Sequence, residues 1–230
     1  CGFWRQKKSA KKRLTRGIGR AMVFGMIAVD WYRSASLLFD NLTTGGHVFA
    51  FTHGQLAMGD LAVAAHAWVS IREPVEGISI FTFSASADAE VAMRRVLSLP
   101  CRTIRLVVSI NAAANKKYNP EAWLALRPDL DLRLAYNHAK IARIWGNSLH
   151  VCIRGSGNMG QASKNCEQWD IFEGVDDAWT EIEKIEECFG EKYAAGKSAN
   201  SQAYRASGVG LSGGKADMAR KLGLKSLKVR

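Results

Sequence analysis

His138 and Lys140 are the residues whose types and spacing most directly suggest chemistry. In an extended chain, alternate side chains point the same way, so a histidine and a lysine two positions apart fall on one face. These two residues have that spacing in the run Asn-His-Ala-Lys at 137–140. An imidazole can act as a nucleophile or a general acid, and a fixed ammonium group stabilises negative charge. The pair therefore predicts a nucleophile and a cation held side by side.

A second group of polar residues follows one hairpin later. The run Gly155-Ser156-Gly157-Asn158 has small residues that let backbone N–H groups approach an anion, and two side chains that can form hydrogen bonds. Together with Lys140, Ser156 and Asn158 form a predicted phosphate-binding cradle. Glu167 lies further along, where its carboxylate could hold one N–H of the histidine and leave the other nitrogen free to attack.

These residues resemble the phospholipase D superfamily, through its H-x-K motif at His138 and Lys140 and its G-S-x-N motif at residues 155–158. Residues 166–171 are similar to the glutamate-bearing strand of phage and prophage members in the nuclease-like branch. The family's longer motif has Asp five positions after the lysine, where this chain has Trp145. Nuclease-like members often lack that Asp, so the difference argues against lipid hydrolysis more than against catalysis. The resemblance implies a phosphohistidine intermediate on His138, formed without a cofactor.

The sequence contains one H-x-K motif, because none of His47, His53 and His66 has a lysine two positions later. Members of the family need two such motifs, one histidine attacking phosphorus and the other protonating the leaving oxygen. For single-motif members the resemblance implies a homodimer whose two pockets join across a two-fold axis. We therefore expect His138 of a second copy to act as the general acid.

Other histidines and tryptophans have less specific surroundings. We expect His150 to be a packing or surface residue, whereas His53 could approach the pocket from the end of a strand. Trp145 and Trp169 are predicted to pack in the core rather than to stack on bases.

The cysteine pattern and the other possible ligands predict no metal site. The five cysteines form no C-x-x-C pair and have no short spacing to histidine, which argues against a zinc site or a disulfide framework. No cluster of Asp, Glu and His with metal-ligand spacing is present either. A reducing, cytoplasmic location is the simpler expectation.

The hydrophobic pattern indicates the elements that position these residues. A strand and an alanine-rich helix within residues 46–69 are followed by a second strand–helix pair within 77–99 and a third strand at 103–110. This order favours an α/β sandwich with a mixed, largely parallel central sheet, as in the phospholipase D fold. A short helix is predicted near 121–126, strands at about 132–144, 149–154 and 168–172, and an acidic helix at 177–193.

Charge divides the chain into three parts. Residues 1–20 contain eight Lys or Arg and no acid, and residues 192–230 contain nine against Asp217 alone. The intervening residues have 15 basic and 20 acidic side chains, although the whole chain is +11. We therefore predict a basic N-terminal arm (1–20), a catalytic domain (21–193) and a basic flexible C-terminal tail (194–230).

Basic arms favour a polyanionic partner, because binding to phosphates releases counterions. Nucleic acid is the first expectation, DNA in preference to RNA, and an anionic membrane surface is the second. Stable membrane insertion is not expected, since Asp30 and Arg33 interrupt the apolar segment at 21–39.

The expected function is thus a metal-independent nuclease. Two alternatives remain open: a non-catalytic nucleic-acid-binding protein on the same scaffold, and a phospholipid-acting hydrolase or transferase, which should have two complete motifs.

Overall fold

The computed structural model describes residues 31–53, 56–83, 89–109, 120–135, 137–160, 166–174, 177–188 and 190–194. The predicted N-terminal arm lies outside these residues, as does the predicted C-terminal tail after residue 194. In the described part of the chain, no helix is long and apolar enough to cross a membrane.

The described residues contain five helices and eight strands, which alternate as far as β4. The helices are α1 (Trp31–Asp40), α2 (Met58–Ser70), α3 (Glu90–Leu97), α4 (Pro120–Leu126) and α5 (Asp177–Cys188). The strands are β1 (His47–His53), β2 (Gly77–Thr82), β3 (Thr103–Ser109), β4 (Asp131–Ala135), β5 (Ile141–Trp145), β6 (His150–Gly155), β7 (Cys166–Glu173) and β8 (Glu191–Lys192).

All eight strands form one sheet in the order β1-β7-β6-β5-β2-β3-β4-β8. Neighbours β2, β3 and β4 pair in parallel, and every other neighbouring pair is antiparallel. The predicted mixed α/β sandwich is confirmed, with parallel strands in one half of the sheet. Only two of the seven neighbouring pairs among the described strands are parallel, so the sheet is mixed but not largely parallel. Strand β1, for example, lies at an edge against β7 instead of beside β2.

One face of the sheet carries the main hydrophobic core. Alternation along each strand directs Ile78 and Ile80 of β2, and Ala142 and Ile144 of β5, to this face. Helix α2 packs against β5 and β6, and its side chains are buried around most of its circumference, as expected for a helix between a sheet and other helices. The core fixes the register of β5 and β2, from which the candidate site projects.

The opposite face is partly polar and is covered in part by α5. Arg143 of β5 is buried, with guanidinium nitrogens 3.2 Å from carboxylate oxygens of both Glu183 and Glu186. The same guanidinium lies 3.9 Å from the ring centre of Trp179. These contacts attach α5 to the middle of the sheet.

Two predicted elements differ from the structure. The single strand expected at 132–144 was wrong, because β4 ends at Ala135 and β5 begins only at Ile141. The acidic helix expected at 177–193 ends at Cys188, and the chain then adds the short strand β8 to the far edge of the sheet. The strand predicted at 149–154 corresponds to β6.

Candidate active site

The residues of the H-x-K motif lie in the segment that leads into β5. The prediction that His138 and Lys140 alternate along a strand is wrong, because residues 137–140 are neither strand nor helix. Asn137 holds this segment in place through hydrogen bonds of its side chain. Its buried amide nitrogen donates to the carbonyls of Thr82 and Val107, both at 3.3 Å, and its amide oxygen accepts from the Ala139 N–H at 2.7 Å. The motif is thereby anchored to the ends of β2 and β3.

The structure brings His138 and Lys140 into direct contact. The Lys140 Nζ lies 3.2 Å from His138 Nδ1 and donates to the His138 carbonyl at 2.9 Å. Phe83, which follows β2, lies against both, with 4.5 Å between its ring centre and that of the imidazole and 5.4 Å from its ring centre to Lys140 Nζ. His138 itself is exposed. The imidazole is therefore held on one side and open to a substrate on another.

The charge of Lys140 depends on its surroundings. Partial burial lowers the pKa of its ammonium group from the ordinary value of 10.5, and the negative charge of Glu167 raises that pKa in part. Glu167 is thus close enough to act electrostatically on Lys140.

The loop after β6 places Ser156 next to Glu167. The Ser156 hydroxyl donates to a Glu167 carboxylate oxygen and accepts from the Gln168 N–H at 3.1 Å. The Ser156 N–H donates to the Gln168 carbonyl at 3.2 Å. The Gly155 N–H donates to the Lys140 carbonyl at 3.2 Å, which ties this loop to the H-x-K segment.

The glycines of this loop have a role that the sequence did not reveal. We expected them to let backbone N–H groups approach an anion. A Cβ at Gly155 or Gly157 would lie 2.4 or 2.5 Å from the indole ring of Trp169, far inside contact distance. The loop can therefore cross the face of this buried tryptophan only where side chains are absent.

Asn158 is partly buried at the end of the loop. Its backbone carbonyl accepts from the Met58 N–H at 2.9 Å, which joins the loop to the start of α2. Its side-chain oxygen is buried and has no hydrogen-bond partner among the described residues. This oxygen is an acceptor, so it can pair only with a hydrogen-bond donor.

Glu167 is almost fully buried at the beginning of β7, opposite Thr52 of β1. Its neighbours include Ser156, and its charge acts on Lys140. The bond from Glu167 to the imidazole of His138 stays a prediction. In this arrangement Lys140 occupies the Nδ1 side of the ring.

All five predicted site residues lie at the same end of the sheet. His138 and Lys140 precede β5, Ser156 and Asn158 follow β6, and Glu167 begins β7. Sequence reasoning missed Asn137 and Phe83, which hold the motif in place. The only signal for them was position, since Asn137 adjoins the motif and Phe83 directly follows a buried strand.

The remaining histidines lie elsewhere or serve in packing. His66 is buried and contacts the Pro100 carbonyl at 2.9 Å, and His150 packs edge-on against Trp179 with ring centres 4.9 Å apart. His47 hydrogen-bonds Asp170 on the surface of the sheet. His53 pairs with Cys166 in the strand register, beside the Thr52–Glu167 pair. The expectation that His150 is a packing or surface residue is confirmed.

The two tryptophans behave differently. Trp169 is fully buried, and its indole N–H donates to the Thr52 hydroxyl at 2.9 Å, as expected of a core residue. Trp145 is half-buried against Trp179.

Over the described ranges, no group of three or more His, Cys, Asp or Glu residues could hold a metal ion.

No family model and no curated protein sequence matches the chain. Among solved structures, it is similar to Nuc of Salmonella typhimurium, described as a phospholipase D family member, with 16% identity and a TM-score of 0.46 over 65% of this chain and 99% of the other. NucT from Helicobacter pylori is 17% identical, with a TM-score of 0.41, over 63% and 99%.

A third solved structure, polyphosphate kinase from Porphyromonas gingivalis, is 11% identical, with a TM-score of 0.44, over 66% of this chain. The chain corresponds to 27% of the length of that kinase. At these identities the similarities concern architecture and assign no activity to this chain.

Proposed function

We propose that the chain is a phosphodiesterase of the phospholipase D type that cleaves nucleic acid, with His138 as the nucleophile and a second copy completing the site. The observation that carries the proposal is the contact between Lys140 Nζ and Nδ1 of the exposed His138, at 3.2 Å. The Ser156–Glu167 pair lies at the same end of the sheet, and the charge of Glu167 acts on the same lysine. A nucleophile, a cation and hydrogen-bonding groups are the parts that phosphodiester displacement needs.

The reaction proceeds by two displacements. A ring nitrogen of His138 attacks phosphorus, the bond to the leaving oxygen breaks, and that oxygen takes a proton from His138 of the second copy. Water then attacks the phosphohistidine and gives a proton to the second histidine, and the phosphorus–nitrogen bond breaks. Both histidines return to their starting states, so the cycle consumes one water for each diester cleaved.

The contact with Lys140 determines which imidazole nitrogen carries the proton before substrate binds. A protonated lysine can only donate, so Nδ1 accepts and a neutral His138 carries its proton on Nε2. The general acid must instead be an imidazolium, which is protonated on both ring nitrogens, so His138 of the second copy also has to lose its contact with Lys140 before it donates. Attack by Nε2 requires the imidazole proton to be on Nδ1 instead. An anionic phosphate would draw Lys140 away from Nδ1, so that Nδ1 could carry the proton. We propose that Glu167 then accepts a hydrogen bond from the Nδ1–H of His138.

Three groups stabilise the charge that develops on the phosphate oxygens. Lys140 supplies a positive charge, and Asn158 and Ser156 supply side-chain hydrogen bonds. Asn158 can donate to a phosphate oxygen only through its amide nitrogen, because its unpaired amide oxygen is an acceptor. The exposed Ser156 can donate only if its hydroxyl proton turns from Glu167 to the phosphate.

Charge supports nucleic acid as the substrate. The chain carries a net charge of +11, and its basic residues are concentrated at 1–20 and 192–230. We propose that these terminal segments hold DNA or RNA near the site through salt-sensitive phosphate contacts.

The proposal predicts cleavage that survives chelation. We expect the purified chain to convert supercoiled plasmid to nicked or linear DNA in EDTA, because the proposed residues act without a divalent ion. The measurement is a gel assay with plasmid, RNA and phospholipid vesicles in parallel. His138→Ala should be inactive, whereas His150→Ala, which alters the histidine packed on Trp179, should retain activity.

Three results would contradict the proposal. Loss of all cleavage in EDTA with recovery in magnesium would indicate metal-dependent chemistry. Salt-sensitive binding without cleavage would favour a non-catalytic nucleic-acid-binding protein, and lipid turnover without nucleic-acid cleavage would favour a phospholipid enzyme.

A further inference from the structure

A part of the sheet surface next to the candidate site is open to solvent and combines aromatic with polar side chains. It lies on the face opposite the main core, across β1, β7 and β6. We call it the open face and define it by His47, Phe49, Phe51, Arg154, Gln168 and Asp170. Strand register places these residues together, since Phe49 is opposite Asp170, Phe51 is opposite Gln168, and Arg154 is opposite Asp170.

The aromatic residues of the open face include a ring that is unusually exposed. Phe51 is 47% exposed, although it lies within a strand. Phe49 supports it edge-on, with ring centres 5.1 Å apart and planes at 90°. A phenyl ring that already packs edge-on against a neighbouring ring loses little further conformational freedom when a planar group stacks on it.

The polar residues of the open face are arranged around one carboxylate. Asp170 accepts hydrogen bonds from His47 and, at 2.6 Å, from Arg154 Nη2. The side chains of His47 and Arg154 are each 41% exposed. The acid is therefore already paired with two groups that can carry positive charge, so the open face does not repel a polyanion.

The open face continues directly into the candidate site. Gln168 is exposed and lies beside Phe51, and its backbone exchanges hydrogen bonds with Ser156. Strands lie about 4.8 Å apart, so Phe51 on β1 is about 14 Å from the start of β5, across two intervening strands. A chain whose base stacks on Phe51 could place a nearby phosphate at His138.

We infer that the open face binds single-stranded nucleic acid by stacking a base on Phe51, and that it passes the strand to the site proposed above. Exposed aromatic rings on a sheet surface bind unpaired bases, because every base has a free face once it leaves a duplex. In a duplex those faces are already stacked on neighbouring base pairs. The net charge of +11 adds an attraction for phosphates that does not depend on strandedness. The inference rests on the proposed function for its cleavage step but not for binding.

The test compares three probes of equal length: a fluorescent single-stranded oligothymidylate, a duplex, and an abasic strand that keeps the phosphates and lacks the bases. Binding is measured by anisotropy on the full chain in EDTA, in a His138→Ala background that prevents cutting. Phe51→Thr removes the ring and keeps strand propensity. We expect its dissociation constant for the oligothymidylate to rise about 5- to 150-fold. Binding of the duplex and of the abasic strand should be unchanged.

Two control variants test whether the effect is specific to the ring of Phe51. Phe51→Trp should bind the oligothymidylate at least as tightly as the parent, and Ile71→Ala, which trims an exposed apolar residue just after α2, should bind like the parent. An unchanged constant for Phe51→Thr, or an equal loss with all three probes, would overturn the inference. So would a change from dimer to monomer in Phe51→Thr by sedimentation, because the face would then contact a second copy.

The cleavage assay keeps the two proposals distinguishable. Stacking-dependent binding by a chain that never cuts would support the open face and refute the nuclease. The opposite outcome is a chain that cuts nucleic acid, with neither cutting nor binding changed by Phe51→Thr. It would support the nuclease and refute the open face.

Discussion

Lys140 must keep its proton to stabilise negative charge on a phosphate. Two features of its surroundings shift the pKa of its ammonium group in opposite directions. Burial lowers its pKa below 10.5, and Glu167 raises it in part. Activity should therefore fall on the alkaline side at a pH below 10.5. Glu167→Gln removes the charge that raises the pKa, so this alkaline limb should move to lower pH. Gln can still accept the hydrogen bond of Ser156. The measurement is kcat/KM between about pH 7 and pH 11, a range that spans the ordinary lysine value.

Glu173 provides a matched control for this experiment. It is also a buried glutamate of β7, but it lies at the opposite end of the strand, where it accepts from the Gly45 N–H. Glu173→Gln should leave the alkaline limb where it is. An alkaline limb that stays in place or moves upward in Glu167→Gln would mean that Lys140 does not limit activity at high pH.

At the residue scale the sequence predicted which residue types gather at the site but not what holds them. His138, Lys140, Ser156, Asn158 and Glu167 do lie at one end of the sheet. Asn137 reaches carbonyls that are 55 and 30 residues away in the chain, and no local pattern encodes such distances. The contact of Lys140 with Nδ1 was likewise unpredictable, because it depends on side-chain rotamers.

Among the elements, the loop after β6 depends on how closely it can approach β7. Gly157→Ala would place a methyl group 2.5 Å from the indole of Trp169. We expect this change to destabilise the fold by about 1–3 kcal/mol, as overpacking typically does. Trp169→Phe removes the outer ring atoms that the methyl group would meet. A double-mutant cycle by urea unfolding should show that Gly157→Ala costs less when residue 169 is Phe.

The cycle accounts for the other consequences of removing the indole. Trp169→Phe also loses the hydrogen bond to Thr52 and leaves a cavity, and both costs appear equally in the single and the double variant. If the changes in the free energy of unfolding were additive, the requirement for glycine at position 157 would not come from contact with Trp169.

The elements themselves were predicted better than their arrangement. Runs of apolar residues located β2, β3 and β6, each of which has at least three consecutive buried residues. The hydrophobic pattern failed between β4 and β5, where the polar residues Asn137, His138 and Lys140 interrupt it and residues 137–140 are neither strand nor helix. It also could not place β1, whose partner β7 lies more than a hundred residues later. Such a pairing depends on the whole fold rather than on the local sequence.

For the whole molecule, the position of the site limits how two copies can share it. Strand β1 forms an edge of the sheet, and its seven residues span about 24 Å. If two copies paired antiparallel through β1 about a two-fold axis, their sites would lie at opposite ends of the joined sheet. A shared site requires the copies to meet at the end of the sheet that carries His138.

The last prediction tests this sharing. In-line displacement at phosphorus needs one group to attack and another to protonate the leaving oxygen, and this sequence supplies one H-x-K motif. We therefore expect a dimer in which each site uses both copies of His138. When His138→Ala is mixed with wild type under conditions of subunit exchange, mixed dimers should be inactive. Activity per total chain should then fall as the square of the wild-type fraction, measured with a single-stranded oligonucleotide in EDTA. A parallel mixture with His150→Ala should lose no activity, because that histidine packs on Trp179 away from the site. A linear decline, or full activity of a monomer at assay concentration, would mean that each chain contains a complete site of its own.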